Sequence, residues 1–468
     1  MCQPLQYRLL PSSLVLALLN IFVLIGTGCQ SPAKEATFLG VEEQAVDSTT
    51  RGLLQTWYPR IVDTVNGGYW TNFEYDWTRS EEQPKMLVTQ ARGLWTAARA
   101  AIAFPDAPVY SNAADHGYRF LTEAMWDEKN GGFYQYYRDR NAPASEITHK
   151  MSYGNAFALY ALSEYAKINE DPGVRAWVEK AFQWLEEAAH DDAGLGYRNI
   201  ILPDSIGAAS DTAAQQYIAS LGWGRLQWKD QNSSIHLLEA LSNARRVLPD
   251  DPLVEERLAE MLHLVRDTMV DEDGYLHLYF HENWEPVSHR DSTRKYILDN
   301  LNYDHVSFGH DIETAYLLLD AAESLHGQAD PTTIRVADKL VKHSMDHGFD
   351  DNYYGLYDRG YYFTEEDSIS IVNTRKTWWS QAEAWHTLAL YAMRYPDNPE
   401  YEEAFRQMWR YLQQEMIDHQ HGGWYNDGPD ENPESKTRRK AHPWKGAYHN
   451  GRALMQVRMY AAERRSGK

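Results

Sequence analysis

A short glycine-aromatic signature recurs six times along the chain: NGGYW at 66–70, NGGFY at 130–134, AGLGY at 193–197, DEDGYL at 271–276, NYYGLY at 352–357 and HGGWY at 421–425. Gly67, Gly131, Gly194, Gly274, Gly355 and Gly422 mark one position in each, 63 to 81 residues apart. Self-similarity at such a spacing means one supersecondary unit used repeatedly, each copy unable to bury its apolar face alone. Between signatures lie two segments with apolar residues at three- and four-residue steps and no long β-branched runs, which read as a pair of helices. The spacing predicts helices near 90–104 and 110–125, 152–168 and 172–189, 231–247 and 252–270, 310–326 and 331–347, and 376–394 and 399–416. Pro105-Asp106, Asp171-Pro172, the 249–252 PDDP stretch, Asp330-Pro331 and Pro396-Asp397 end one helix and cap the next. A helix near 41–60 precedes the first signature and one near 445–463 follows the last. These two complete a sixth hairpin. The expected fold is therefore all-α: an (α/α)6 toroid of two concentric helix layers, one domain over residues 41–468. An open helical solenoid is the alternative, and the complementary end helices favour closure.

The first forty residues read as an address. Arg8 is followed by an uncharged stretch whose apolar heart, Leu14 to Ile25, has the length of a signal-peptide core rather than of a permanent span. It ends in Gly26-Thr27-Gly28-Cys29, small residues and then a cysteine, which resembles the lipobox of bacterial lipoproteins, with Gly26 where a bulky apolar residue is usual. Residues 1–28 are expected to be a signal peptide, Cys29 a lipidation site, and 29–40 a tether, so that an exported chain meets a bacterial membrane only through its lipid anchor. An uncleaved anchor and plain secretion are the alternatives. With Cys2 removed, Cys29 is the only cysteine, which leaves no internal disulfide and no zinc-thiolate site.

Composition narrows the partners. Lys and Arg number 45 against 67 Asp and Glu, a formal charge of −22 with no local basic patch, so nucleic acid is not a partner. The 16 Trp and 31 Tyr are apolar bodies with polar handles, suited to a large core and to stacking on sugars.

Polar residues gather at the start of the first helix of each pair. If those helices form the inner layer, their N-termini open at one end of the barrel, and Arg92, His236, His310, Glu313, Glu383 and His449 converge on one aromatic-walled cavity. His236 and His310 each begin a His-x-x-Glu step, which places imidazole and carboxylate on one helix face. A carboxylate beside an imidazole fixes its tautomer and raises its basicity. The same set suits a metal, but HExxH and paired ExxH patterns are absent, and neither a metal nor another cofactor is expected. Of Trp378 and Trp379, about 100° apart on a helix, one faces the cavity.

The segments QARGLW, NSSIHLLEAL, SFGHDIE, TWWSQAEAW and WKGAYHNGR, in this order between residues 90 and 452, resemble the N-acylglucosamine 2-epimerase superfamily and its cellobiose 2-epimerase branch. The resemblance implies an (α/α)6 fold and cofactor-free epimerisation at C2 of a reducing sugar through a cis-enediol. It implies that His310 and His449 transfer protons, that Glu313 supports them, that Arg92 stabilises the enediolate and that His236 is a third site histidine. Trp379 and Trp444 become sugar platforms and Glu383 a binder of hydroxyls, with Tyr153 and Asn232 as further substrate-binding residues. The chain departs from the branch at Ser234, where a second histidine is common, and in its exported character. Proton removal on one face of C2 and return on the other calls for two bases with pKa near neutrality, and histidine suits that. The expected substrate is a small neutral sugar, with a β-linked disaccharide favoured, and the expected state a monomer. Aldose–ketose isomerisation, a glycoside hydrolase or lyase with paired carboxylates, and a non-catalytic sugar-binding protein are the competing readings.

Overall fold

The computed structural model describes residues 36–137, 149–202, 212, 216, 225 and 227–467; the expected signal segment and Cys29 lie outside the described residues. Among the described residues, twelve helices carry the fold. They are α1 (Glu43–Trp57), α2 (Leu87–Ala103), α3 (Pro108–Phe120), α4 (Ser152–Tyr165), α5 (Pro172–Ala188), α6 (Gln231–Val247), α7 (Pro252–Leu264), α8 (Phe308–His326), α9 (Pro331–His343), α10 (Trp378–Arg394), α11 (Pro399–Tyr411) and α12 (Tyr448–Ser466). A short helix at Arg294–Asp299 lies on the connection before α8.

The helices α2, α4, α6, α8, α10 and α12 pack side by side in that order, and α12 returns against α2. Each has an outer partner that follows it in sequence, except α12, whose partner is α1. The chain ends thus close the ring, and the (α/α)6 toroid replaces the open solenoid. Burial follows the layers: all fourteen residues of α4 are buried, whereas α5 buries one face. The outer helices α5, α7, α9 and α11 begin with Pro at N1 after Asp171, Asp251, Asp330 and Asn398, whose side chains accept from backbone N–H groups of the first turn. Four outer helices, α3, α7, α9 and α11, end in one π-helical turn, which accounts for the extra residues expected up to 125, 270, 347 and 416.

The six signatures form one repeated turn. In each, an isolated bridge joins the residue before an aspartate to the aromatic or leucine after the glycines: Val62 to Tyr69, Trp126 to Phe133, His190 to Tyr197, Val270 to Leu276, Phe349 to Leu356 and Ile417 to Trp424. Gly132 shows why glycine is required: its φ is +72°, and an added Cβ would lie 2.3 Å from the Trp184 ring. Five of the aspartates, Asp63, Asp127, Asp191, Asp350 and Asp418, are held by a buried lysine, respectively Lys85, Lys150, Lys229, Lys376 and Lys440. In the fourth unit Asp271 meets His277 instead. Inner-helix side chains fasten the same turns: Gln90 to Tyr69, Asn155 to Phe133, Asp311 to Leu276 and Gln381 to Leu356.

One boundary shifts. Residues 36–40, expected as tether, belong to the fold: Thr37–Phe38 pairs with Val41–Glu42, and Phe38 and Leu39 are buried in the core, which an exposed tether would not permit.

Candidate active site

At the N-terminal end of the inner helices lies a cavity of about 200 Å³ lined by Arg92, Tyr153, Asn232, His236, His310, Glu313, Trp379, Trp444 and His449. The toroid places these side chains in two tiers. Tyr153, Asn232, His310, Trp379 and His449 stand at the second or third residue of α4, α6, α8, α10 and α12. One turn deeper, at the sixth residue of α2, α6, α8 and α10, stand Arg92, His236, Glu313 and Glu383. A repeated unit that starts each inner helix at the same height thus assembles the site from residues hundreds of positions apart. Trp444 sits on the connection before α12, half-exposed, near the Tyr153 ring.

The three histidines are fixed by different partners. His236 Nδ1 lies 2.9 Å from Glu239 Oε2, and His449 Nδ1 lies 2.6 Å from Glu383 Oε1. With a carboxylate as acceptor, Nδ1 carries the proton and Nε2 is the nitrogen left as a base. His310 Nδ1 meets the hydroxyl of Ser307, the N-cap residue of α8, at 2.8 Å. The imidazoles of His310 and His449 both lie against Trp379, with ring centroids 4.6 and 6.0 Å from the indole. Burial lowers all three pKa values: His449 to about 3 despite Glu383, His310 well below the usual range with help from nearby His236, and His236 less far, Glu239 opposing. The resting site therefore holds neutral imidazoles.

Arg92 is buried, and no carboxylate among the described residues lies within ion-pair distance. Its guanidinium donates to the Tyr153 hydroxyl at 3.0 Å and stands 4.2 Å from the Phe157 ring centre and 5.0 Å from that of Tyr448. Its positive charge is left for the cavity. Glu313 gives Oε1 to Arg452, while Oε2 has no protein partner. Burial, then the charge of Glu383, pushes Glu313 up to about 8, so that at neutral pH it is a hydrogen-bond donor.

Two expectations are corrected. Glu383 does not line the cavity and is not free to bind hydroxyls: it is fully buried, with Oε1 taken by His449 and Oε2 by His386 at 2.8 Å and Arg452 at 2.6 Å. The His310-x-x-Glu313 step does not make an imidazole–carboxylate pair, because Ser307 takes the imidazole and Arg452 the carboxylate. At 236–239 the same spacing does make one. Trp379 faces the cavity, while Trp378 packs against His442 and Lys445. Ser234 donates to the backbone of Asp230.

Sequence reasoning found Glu239 as the carboxylate of the His236-x-x-Glu step, and missed Arg452. The signal for Arg452 was its place three residues after His449 on one helix face. Glu313, Glu383 and His449 bring possible ligand atoms within 4.8 Å of one another, but the Arg452 guanidinium already supplies a cation between the two glutamates. A larger groove of about 490 Å³ runs along the C-terminal halves of α2 and α12 against α1, and its charges are largely paired, Asp47 with both Arg51 and Arg458.

The cellobiose 2-epimerase of Bacteroides fragilis is 26% identical over 426 residues, covering 89% of this chain and 98% of that protein. The D-mannose isomerase of Marinomonas mediterranea is 22% identical over 405 residues, 86% of this chain and 93% of the relative. The solved structure of cellobiose 2-epimerase from Bacillus thermoamylovorans superposes with a TM-score of 0.73 at 24% identity, over 89% of this chain and 99% of that one. The profile of the family described as N-acylglucosamine 2-epimerase (GlcNAc 2-epimerase) matches residues 68–453, most of the toroid and every residue lining the cavity, and the chain belongs to that family.

Proposed function

We propose that this sugar 2-epimerase acts at the reducing end of a neutral β-linked disaccharide. At about 200 Å³ the cavity is small beside the ~300–1,000 Å³ of ordinary ligand pockets, so it suits one sugar residue in open-chain form. A second ring would lie outward against Trp444. The observation that carries the chemistry is the placing of two neutral imidazoles, His310 and His449, against one indole.

In the proposed reaction, Nε2 of one imidazole takes the C2 proton and the C–H electron pair forms the C1–C2 double bond. The carbonyl oxygen becomes an enediolate, whose charge Arg92 meets unencumbered by a carboxylate. The other imidazole, neutral at rest, first takes up a proton from solvent; as the imidazolium it returns that proton to the opposite face of C2, and the first imidazole then releases the C2 proton to solvent, which restores the neutral pair. His236 at the cavity wall assists ring opening, and Glu313 donates to a substrate oxygen. Trp379 and Trp444 stack on the sugar while Tyr153 and Asn232 position its hydroxyls. Incubation with cellobiose, lactose, mannobiose, mannose, glucose and N-acetylglucosamine in heavy water, read by NMR, tests this. An intact disaccharide carrying deuterium at C2 and a new C2 epimer supports it, and released monosaccharide refutes it. Similarity to a D-mannose isomerase favours a second reading, proton return to C1, for which the same spectra would show a ketose.

The Leu14–Ile25 run and the following Gly-Thr-Gly-Cys29 support an exported lipoprotein. No helix among the described residues is long and apolar enough to cross a membrane. Labelling with an alkyne fatty acid that is lost in Cys29→Ser supports lipidation; labelling that persists refutes it.

A further inference from the structure

A strongly charged cluster, centred on a residue that the mechanism above does not use, lies beneath the cavity floor. Arg452, fully buried on α12, reaches three glutamates from three neighbouring inner helices. Nη1 donates to Glu239 Oε1 and to the Tyr448 hydroxyl at 2.7 Å; Nη2 contacts Glu313 Oε1 and Glu383 Oε2. Tyr448 also donates to Glu239 at 2.9 Å. Two of these carboxylates are the acceptors that fix cavity histidines, Glu239 for His236 and Glu383 for His449. The third, Glu313, lines the cavity itself.

We propose that Arg452 is a positioning residue: as the shared counter-ion of Glu239 and Glu383 it keeps both ionised, and so holds His236 and His449 with the proton on Nδ1 and Nε2 open to substrate. The role of these imidazoles as site bases rests on the functional reading above; the tautomer claim does not. Three carboxylates this close cannot all ionise, and burial opposes the charge of each. Arg452 decides which do. Beside it, Glu383 is held well below the usual carboxylate range and Glu239 at about 2, against the burial that would raise them, while Glu313 stays protonated. The titratable and charged groups around the guanidinium are His236 and Glu239 on α6, Glu313 and Tyr316 on α8, Glu383 and His386 on α10, Tyr448 and His449 on α12, Arg92 on α2 and Tyr160 on α4. Without the guanidinium, mutual repulsion and burial would protonate Glu383 near neutral pH. A protonated Glu383 donates to Nδ1 of His449, and the ring proton moves to Nε2, where the ring no longer accepts a proton from carbon.

The test is Arg452→Gln in the full chain, with histidine labelled by nitrogen-15 and ring signals assigned by their loss in His236→Gln and His449→Gln. In the resting wild type both rings are expected as Nδ1–H tautomers. In Arg452→Gln the His449 signal should shift to the Nε2–H form, kcat should fall about 100-fold with KM within about threefold, and the acidic limb of the kcat–pH profile should move upward. Arg452→Lys, which keeps a charge but not the fork, should restore part of kcat. Unchanged tautomers and an unmoved limb overturn the proposal. Should Arg452→Gln not fold, Arg452→Lys carries the same two readouts, a smaller upward move of the limb being expected and an unmoved one decisive against. If the wild type exchanges no C2 proton on any sugar yet the tautomers shift, the functional reading fails and the role of Arg452 stands.

Discussion

His449 donates from Nδ1 to Oε1 of Glu383, a buried contact of 2.6 Å between α12 and α10. It makes Glu383 the orienting group of a base rather than a ligand for sugar hydroxyls. Glu383→Gln keeps the shape and removes the charge, so steady-state kinetics should show kcat reduced about 100-fold or more with little change in KM. A raised KM at unchanged kcat would instead return Glu383 to substrate binding.

Glu313 makes stability depend on pH in an unusual direction. Its folded pKa of about 8 lies above the ordinary 4.5, so from about pH 4.5 to 8 the unfolded chain has released a proton that the folded chain retains. Stability from this group is therefore greatest below pH 4.5 and declines until pH 8. In Glu313→Gln that decline is absent. The Tm of the variant minus that of the wild type should rise between pH 5 and 8 and level off above; a difference that stays flat with pH contradicts a protonated Glu313.

Trp379 and Trp444 should separate two sugar positions. Trp379 lies against both imidazoles, and Trp444 is half-exposed on the cavity lining. Loss of one aromatic contact of ~0.5–1.5 kcal/mol predicts a KM rise of about two- to tenfold for Trp444→Ala with a disaccharide and almost none with a monosaccharide. Trp379→Ala should impair both. Equal effects of Trp444→Ala on mono- and disaccharides would contradict an outer subsite.

The repeated lysines are a stability prediction. Lys376 is fully buried, with Nζ 2.7 Å from both Asp350 and Asp430. Lys376→Met leaves two buried carboxylates without their cation, and urea unfolding should show a loss of about 3–5 kcal/mol. Lys295→Ala, which removes an exposed i,i+4 pair with Asp299, should change stability by about 0.5 kcal/mol or less. Comparable losses in the two variants would mean that the signature turns are not held by their lysines.

The helix count, the order of the helices and their boundaries to within a few residues were legible in the sequence. Periodicity, Asp-Pro starts and the glycine turns act over short range and act six times, so errors in one unit are corrected by the others. The cavity lining was legible for the same reason: Arg92, His236, His310, Glu313, Trp379 and His449 occupy equivalent places at the starts of their helices, and the resemblance to a known family named their chemistry. The lysine clamps were visible only as an aspartate standing before each glycine, a spacing that says nothing of the partner arriving from the next connection. Ring closure by α1 and α12 was inferred from two leftover ends, and the packing made it fact.

What only the tertiary structure decided is which charge meets which. His236-Glu239 and His310-Glu313 share one spacing, yet only the first forms a pair, because a guanidinium from α12 captures Glu313 while the N-cap hydroxyl of Ser307 takes His310. Spacing along a helix determines which groups stand on one face. The partner each of them finds in a buried, low-dielectric floor is determined by the helices packed opposite, and no single segment of the chain contains that information.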